Sequence, residues 1–268
     1  MKINLGDVEE TLLIPLWGRA KLTQEYPTLL NDQKAVELVE QMDYDFSTLD
    51  KNLGFGNNLV HAVRAKQFDN KIRAYIAKHP RASVINLGAG LDTTFYRVDN
   101  GSIHWCDLDL PSVIGLRSEL LPEPERTTYI SNSLFDPAWF TEVENTENGV
   151  FIIAAGVLLY FEESLIRPYF TLLASSFPSG EIVFDSLSRF GKYIGNWGLR
   201  RMGMKGSTIK WALKDARRIA EWDRRMDVLD QFPLFKNIPR DPVWGASVRR
   251  FMNFVDRNRI RNVCHLRV

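Results

Sequence analysis

The chain has 268 residues, of which 45% are hydrophobic and 25% are charged, as in an ordinary globular protein. Its two cysteines, Cys106 and Cys264, exclude a disulfide framework and give no metal-ligand pattern, so we expect no metal. No apolar run approaches the ~18 residues of a membrane span and no signal peptide is recognisable. We therefore expect a cytoplasmic protein without a membrane partner.

The net charge of +1 hides an asymmetry along the chain. Residues 1–188 carry 15 Lys and Arg against 26 Asp and Glu, a net charge of −11, whereas residues 189–268 carry 19 against 7, a net charge of +12. A basic C-terminal part could attract an anionic substrate or a nucleic acid. A mixed, solvated surface is favoured because no Lys/Arg run has the length of a basic-patch motif. A nucleic-acid partner is therefore not expected.

The N-terminal region, residues 1–81, has helical spacing and no strand-like alternation. Asn31 or Asp32 can cap one helix. A longer helix is predicted from about 57 to 79, because its apolar residues recur at 3.6-residue spacing. The two glycines within 52–56 predict a loop at the entrance of that helix.

From residue 82 to 189, short apolar runs alternate with amphipathic ones, which predicts a parallel sheet with covering helices. The run 149–155 is apolar without alternation, as expected for a strand buried on both faces. Five strands joined by right-handed crossovers give a doubly wound α/β fold. The predicted strands lie near 83–87, 103–107, 128–131, 150–155 and 181–186, and the helices between them near 92–97, 112–121, 137–143 and 162–176.

The C-terminal part gives weaker patterns. Five glycines and several large side chains within 190–206 indicate a mobile cap over the site. We expect a single domain over 1–268, with a cap or substrate region at 190–250 and the last strand within 251–268. The other predicted elements are a helix near 208–223 and two final strands near 226–229 and 261–268.

Two glycines one residue apart follow the first predicted strand, in the segment Gly88-Ala89-Gly90. Without a Cβ, such residues let the backbone turn tightly and let a ligand approach closely. Asp107 and Asp109 follow at about the 20-residue offset of a ribose-binding carboxylate, and strand alternation lets only one of them face a ligand. This pattern predicts a site for an adenosine-containing cofactor, and the sequence does not choose between the two carboxylates.

The third glycine of the dinucleotide fingerprint is missing, which disfavours a nicotinamide cofactor. S-adenosylmethionine has no pyrophosphate, so Gly88 to Asp92 could cradle its methionine part. Asp92 could equally cap the helix that follows. Arg64 lies in the apolar stripe of its helix and needs an anionic partner, either a ligand carboxylate or a buried Asp or Glu, unless its stem snorkels.

Four segments carry a specific resemblance, in order and spacing, over roughly residues 15–190. They are Arg64-x-x-x-Phe68-Asp69, Asn86-Leu-Gly-Ala-Gly-Leu-Asp-Thr-Thr-Phe-Tyr-Arg97, Asp107-Leu-Asp-Leu-Pro111 and Ala155-Gly-Val-Leu-Leu-Tyr160. Together they resemble the leucine carboxyl methyltransferase family, which includes polyketide O-methyltransferases. The resemblance implies the class I methyltransferase fold, a seven-stranded sheet with a reversed last hairpin, and S-adenosylmethionine as methyl donor.

The same resemblance implies roles for individual residues. Arg64 would bind the donor's carboxylate, Gly88 would lie against its methionine part and Asp109 would take the ribose. Arg19 or Lys21 loosely matches a basic position that contacts the donor.

Two positions depart from the family pattern. Ser133, beside Leu134 on the adenine side, stands where the family usually has an acidic residue, and Asp136 could substitute for it. Ala155, before Gly156, stands where the family favours Glu. These departures keep open a noncatalytic donor-binding or regulatory protein.

The acceptor chemistry is the remaining question. A hydroxyl acceptor often needs a base, whereas a carboxylate needs none. His61 and Tyr160 are the candidate catalytic residues, although packing roles would also explain them. We expect an O-methyltransferase acting on a small-molecule hydroxyl or carboxylate, such as a polyketide-like compound. An RNA-modifying enzyme is a less favoured alternative, and a nicotinamide dehydrogenase fits worst. The sequence does not indicate an oligomeric state.

Overall fold

The computed structural model of the chain describes residues 7–201, 204, 206–240 and 242–268. The N-terminal region folds into α1 (Asp7–Glu25), α2 (Gln33–Gln41) and α3 (Phe46–Ile76). Of the two predicted caps, Asp32 is the one used, since its carboxylate accepts a hydrogen bond from the Ala35 amide at 3.1 Å.

The loop predicted at 52–56 is reduced to a single break inside α3. Gly54 adopts the non-helical values φ +66° and ψ 168°, and two helical stretches join there across a kink. A residue with a Cβ rarely adopts such a conformation, so the glycine signals a kink here rather than a loop.

The central sheet has seven strands in the order β3-β2-β1-β4-β5-β7-β6. The first five strands are parallel, and β7 is antiparallel to both of its neighbours. This topology confirms the predicted doubly wound sheet with a reversed last hairpin. The strands are β1 (Ser83–Leu87), β2 (His104–Asp109), β3 (Thr127–Ser131), β4 (Val150–Ala154), β5 (Glu181–Leu187), β6 (Asp227–Pro233) and β7 (Arg261–Arg267).

Helices cover both faces of the sheet. One face packs against α3, α4 (Thr94–Val98) and α9 (Gly245–Arg257), and the other packs against α6 (Glu163–Ser176). All five residues of β4 are buried, as its unbroken apolar run predicts. The remaining helices are α5 (Pro111–Leu120), α7 (Arg189–Arg201), α8 (Arg217–Ala220) and short 3₁₀ turns at Pro137–Glu142, Thr146–Asn148, Leu158–Tyr160 and Pro242–Trp244.

The helix predicted near 208–223 is wrong over most of its length. Residues 207–216 are not helical, and α8 spans four residues. Ile209, Trp211 and Leu213 are buried while Lys210 and Lys214 are exposed, so burial alternates with the period of an extended chain. The apolar spacing alone was compatible with either period.

The region predicted as a cap begins with helix α7. Met202, Gly203 and Lys205, which belong to the same predicted cap, lie outside the described residues. In the part of the chain that the structure describes, no helix is both long and apolar enough to cross a membrane.

The chain order of the strands creates a crevice. From β1 the chain moves outward to β2 and β3, then returns to β4 on the other side of β1. In doubly wound sheets, ligands bind at this reversal, beyond the carboxyl ends of the strands. The glycine turn after β1 and the turn after β4 therefore flank the expected binding crevice.

Candidate active site

The turn after β1 depends on its two glycines. Gly88 has φ +62° and Gly90 has φ +50°, and both values disfavour residues with a side chain. A Cβ on Gly88 would lie 2.5 Å from a methyl group of Val157, and one on Gly90 would lie 3.0 Å from Leu12. Ala89 is buried between them. The turn therefore brings bare backbone against the loop that follows β4, as the glycine pattern predicts.

Asp107 is fully engaged inside the protein. Its carboxylate accepts hydrogen bonds from Asn86 Nδ2 at 2.8 Å, Trp105 Nε1 at 2.9 Å and Arg117 Nη2 at 2.5 Å. The side chains of Asp107 and Arg117 are both 2% exposed, so this is a buried ion pair. Such a carboxylate has little capacity left for a ligand, and its role is structural.

Asp109 lies at the carboxyl end of β2 and is only half-buried. One carboxylate oxygen accepts the Gly90 amide at 2.8 Å, and the other accepts the Leu110 amide at 2.8 Å. Each oxygen keeps a lone pair for a ligand hydroxyl. Burial raises the pKa of Asp109 above its ordinary value, which the two amide hydrogen bonds oppose. Of the two predicted carboxylates, the geometry thus presents Asp109 to the crevice.

Arg64 lies across the crevice, in a charge cluster that sequence reasoning missed. Its Nη1 is 3.6 Å from Oδ2 of the buried Asp185 on β5, and Arg261 Nη1 contacts the same oxygen at 2.5 Å. The other oxygen of Asp185 accepts the Gly156 amide at 2.6 Å. Two guanidinium groups therefore share one carboxylate. One of the predicted alternatives, a buried acidic partner for Arg64, is present.

The charge balance around Arg64 is incomplete. Arg64 is 7% exposed, and its single ion pair among the described residues is the long contact with Asp185. Burial lowers the pKa of Arg64, and Arg261 adds to this effect, while Asp185 opposes it. Gly156, with φ +76°, allows the close approach, since a Cβ there would lie 2.4 Å from Arg64 Nη1. A second anion beside Arg64 would neutralise the remaining positive charge.

The two candidate catalytic residues lie near this cluster. Burial holds the pKa of His61 well below its ordinary value, and the charges of Arg64 and Arg261 lower it further. His61 Nδ1 is buried without a hydrogen-bond partner among the described residues. Burial raises the pKa of Tyr160, with Arg261 and Arg64 opposing it. His61 is consequently a poor proton acceptor, and Tyr160 keeps its proton at neutral pH.

The predicted adenine side carries little charge. Ser133 is half-buried, and its hydroxyl accepts the Phe135 amide at 3.3 Å. Leu134 is buried. Asp136 accepts the Ala138 amide at 2.9 Å and so caps the 3₁₀ turn Pro137–Glu142. The capping bond therefore engages one oxygen of Asp136, the carboxylate that could substitute for the acidic residue that the family usually has at position 133.

Of the two basic residues that loosely match a donor-contacting position, Arg19 and not Lys21 contacts the glycine turn, and a role for it in donor binding stays a prediction. Arg19 is buried and donates to the Leu91 carbonyl at 2.9 Å, whereas Lys21 pairs with Asp50 at 2.6 Å. Asp92 accepts the Thr94 amide at 2.7 Å and so holds the start of α4, although the N-cap residue of that helix is Thr93 and not Asp92. Burial raises the pKa of Asp92, but Arg19 and Arg97 outweigh that effect and hold it below its ordinary value.

A second buried network supports the turn from below. Arg97 contacts both oxygens of Asp69, at 2.8 and 2.9 Å, and Asp32 at 2.6 Å. Arg19 contacts the same Asp32 at 2.9 Å, and the Thr93 hydroxyl donates to it. Two of the segments quoted above, which contain Asp69 and Arg97, therefore meet in space to fix the glycine turn.

Comparison with known proteins identifies the family. A profile of leucine carboxyl methyltransferases matches residues 13–170. The chain belongs to the leucine carboxyl methyltransferase family. It is an S-adenosylmethionine-dependent methyltransferase, which confirms the predicted enzyme class and cofactor.

Two relatives extend the match beyond the profile. The tetracenomycin polyketide synthesis O-methyltransferase TcmP of Streptomyces glaucescens is 30% identical over 220 residues, which cover 80% of this methyltransferase and 78% of the relative. The S-adenosyl-L-methionine-dependent methyltransferase dpfgK of Gibberella zeae is 31% identical over 265 residues, covering 88% and 87%. The family assignment therefore extends over most of the chain.

The fold also matches a solved methyltransferase. Magnesium protoporphyrin IX methyltransferase from Synechocystis, whose crystal structure contains bound S-adenosylhomocysteine, superposes with a TM-score of 0.51 at 13% identity. The match covers 88% of this methyltransferase and 99% of that chain.

Among the described residues no cluster of His, Cys, Asp or Glu could hold a metal.

Proposed function

We propose that this methyltransferase transfers the methyl group to an oxygen atom of a small, polyketide-like molecule that reaches the site already ionised. The O-methyltransferase among its relatives supports the acceptor atom and the compound class. The proposal that the acceptor is already ionised rests on one observation: among the described residues near Arg64, none is able to take a proton from it at neutral pH. His61 holds a proton poorly, Tyr160 does not lose its own at neutral pH, and Asp185 is engaged by two guanidinium groups.

The donor fits the residues that line the crevice. The turn at Gly88 and Gly90 is fixed by close packing against Val157 and Leu12, and it offers the donor backbone without side chains at these two positions. Arg64 would bind the donor's carboxylate and so complete the charge balance of its cluster. Asp109 would accept the ribose hydroxyls through its remaining lone pairs, and Ser133 would lie on the adenine side.

The bound donor supplies a methyl group already activated on a sulfonium. The protein's contribution is then to position the acceptor oxygen in line with that methyl group and to exclude water. A carboxylate or an acidic phenol meets this requirement without proton transfer to the protein. An aliphatic alcohol would need a base, which this site does not offer.

A noncatalytic donor-binding protein is the second candidate. It is favoured by Ala155, which places a methyl group after β4 where the family has a carboxylate, and by the uncharged Ser133. Both proposals require donor binding, and they differ in whether an acceptor is methylated.

The test begins with calorimetric titration of S-adenosylmethionine and S-adenosylhomocysteine into the purified chain. Transfer of a labelled methyl group is then measured against phenols, aromatic carboxylic acids and matched aliphatic alcohols. Methylation of acids or phenols but not of alcohols is the expected result. Tight donor binding without methylation of any of these compounds would favour the noncatalytic protein.

A further inference from the structure

A second cavity lies beside the candidate active site, between α7 and the segment that follows it. Its volume is about 590 Å³, within the range of ~300–1,000 Å³ typical of small-molecule sites. Glu162 and Glu163 line it from the start of α6, and Lys210 and Trp211 line it from the extended segment. These walls follow the carboxyl ends of β4 and β5, the sheet edge where Asp185 lies.

Helix α7 presents two parallel rows of side chains to this cavity. Arg189, Tyr193 and Trp197 recur at four-residue spacing, and so do Lys192, Asn196 and Arg200. Side chains four residues apart on a helix are neighbours on one face. Tyr193 is 71% exposed and Trp197 is 54% exposed. The Arg201 guanidinium lies over one face of the Trp197 ring, 4.7 Å from its centroid, so only the other face of that ring is open to a ligand.

The opposite face of α7 is packed against the body of the protein by small residues. A Cβ on Gly191 would lie 2.3 Å from the Ile260 carbonyl oxygen, and one on Gly195 would lie 2.5 Å from Ile209. Asn196, which also lines the cavity, fixes the helix to the extended segment: its side-chain amide donates to the Ile209 carbonyl at 3.0 Å and accepts the Ile209 backbone amide at 2.8 Å. The glycines of this segment thus let the helix pack closely, with its rings and cations turned toward the cavity.

The cavity has an excess of positive charge. Four cations, Arg189, Lys192, Arg200 and Lys210, line it without a carboxylate within 4.0 Å among the described residues. Of these, the Lys192 ammonium already donates one hydrogen bond to the Lys210 carbonyl. Only a fifth, Arg218, is paired: it contacts Glu163 at 3.1 Å. With Glu162 as the one remaining acid, the unpaired groups carry a formal net charge of +3. This is a local concentration of the positive charge that the whole C-terminal part carries.

A shared wall joins the cavity to the candidate active site. The amides of Lys210 and Trp211 both donate to the Leu159 carbonyl, at 2.8 and 3.0 Å. Leu159 precedes Tyr160, which is close enough to Arg64 and Arg261 for their charges to lower its pKa. A molecule bound in the cavity would therefore lie next to the turn that borders the donor site.

We propose that this cavity binds the acceptor and selects it for negative charge and a flat ring system, so that the acceptor class is aromatic anions. The inference rests on the proposed transfer to an acceptor oxygen, which an ionised aromatic molecule satisfies without a base. Exposed rings of Tyr193 and Trp197 supply stacking surfaces, and the unpaired cations supply charge-assisted hydrogen bonds.

The experiment compares 2-naphthoate with its neutral counterpart 2-naphthamide, titrated calorimetrically into the full chain at low and high salt. Naphthoate should bind at least about tenfold more tightly than naphthamide at low salt, and high salt should remove that difference. Equal binding of the two probes at low salt would overturn the proposal.

Variants locate the effect in the cavity. The double change Arg200→Gln and Lys210→Gln should reduce naphthoate binding to the level of naphthamide. Lys78 is an exposed cation that precedes β1, at the opposite end of the strands from the cavity, and Lys78→Gln should leave naphthoate binding unchanged. Trp197→Leu should weaken both probes by a similar factor. Naphthoate binding that survives the double change would refute the assignment.

Donor binding is measured in the same samples with S-adenosylhomocysteine. If naphthoate binds more tightly than naphthamide and this preference depends on Arg200 and Lys210, the cavity is confirmed as a site for aromatic anions. If no compound is methylated in that case, only the proposed O-methyl transfer is refuted. Intact donor binding without charge selection overturns the cavity and leaves the proposed transfer standing.

Discussion

Replacement of Arg64 by methionine tests the donor site most directly. Methionine keeps much of the apolar stem and removes the charge. The fold should survive, because Asp185 keeps its shorter contact with Arg261 at 2.5 Å and its hydrogen bond from the Gly156 amide. The variant loses a cation whose single ion pair among the described residues is 3.6 Å long. We assign that cation to the donor's carboxylate.

The size of the effect follows from the type of contact. A hydrogen bond to a charged group contributes about 1.5–3 kcal/mol. Since about 1.4 kcal/mol corresponds to a tenfold change in affinity, Arg64→Met should weaken S-adenosylhomocysteine roughly ten- to a hundredfold. Burial of Arg64 places the effect toward the upper end, because little solvent competes for the contact.

The assay pairs two ligands. S-adenosylhomocysteine carries the amino-acid carboxylate, whereas methylthioadenosine has the same nucleoside and lacks it. Calorimetric titration should show a large loss for the first ligand and little change for the second in the Arg64→Met variant. Thermal unfolding without ligand serves as the control for the fold. An equal loss for both ligands would refute a direct contact between Arg64 and the carboxylate, and so would no loss for either.

Three further outcomes are expected. Asp109→Asn should weaken donor binding about tenfold or more with little loss of stability. Asp107→Asn should instead lower the free energy of unfolding by about 3–5 kcal/mol in chemical denaturation, because it leaves the buried Arg117 guanidinium unpaired. If Asp107→Asn weakened donor binding and Asp109→Asn lowered stability, the strand register would be misread. Gly88→Ala should lower the melting temperature, since its Cβ would meet Val157 at 2.5 Å, and Val157→Ala should partly restore it. Because the pKa of His61 is lowered in the folded protein, this side chain binds a proton more tightly when the chain is unfolded. Its contribution to the free energy of unfolding is therefore present above its ordinary pKa of 6.5 and is lost as the pH falls below that value. Denaturation curves of His61→Leu at several pH values should lack that loss, and an unchanged dependence of stability on pH would contradict the buried neutral state.

The sheet and the glycine turn were predictable because each has a local signal. The unbroken apolar run of β4 requires burial on both faces, and two closely spaced glycines after a strand require backbone conformations that other residues avoid. Strand alternation alone does not choose between Asp107 and Asp109, whereas the family resemblance implies Asp109 for the ribose. The structure adds that Asn86, Trp105 and Arg117 already engage Asp107, which strand alternation does not encode.

Asp185 and Arg261 were missed for a different reason. They are 76 residues apart and meet only because β7 runs antiparallel to β5. No local period in the sequence encodes that register. A signal did exist in the run Ile182-Val183-Phe184-Asp185, where an acid lies within a buried strand and therefore needs a cationic partner. The helix predicted near 208–223 was wrong around Trp211, because the apolar spacing there fitted both a helix and an extended segment.

The network of Arg97, Asp69, Asp32 and Arg19 makes the N-terminal helices and the glycine turn one cooperative unit. Helix α2 cannot open without uncovering Asp32, the carboxylate that both arginines share. Any ligand that stabilises the turn must therefore raise the free energy of that opening by the same amount. Amide hydrogens of α2 should consequently exchange more slowly with solvent when the donor is bound, although no residue of α2 needs to touch it.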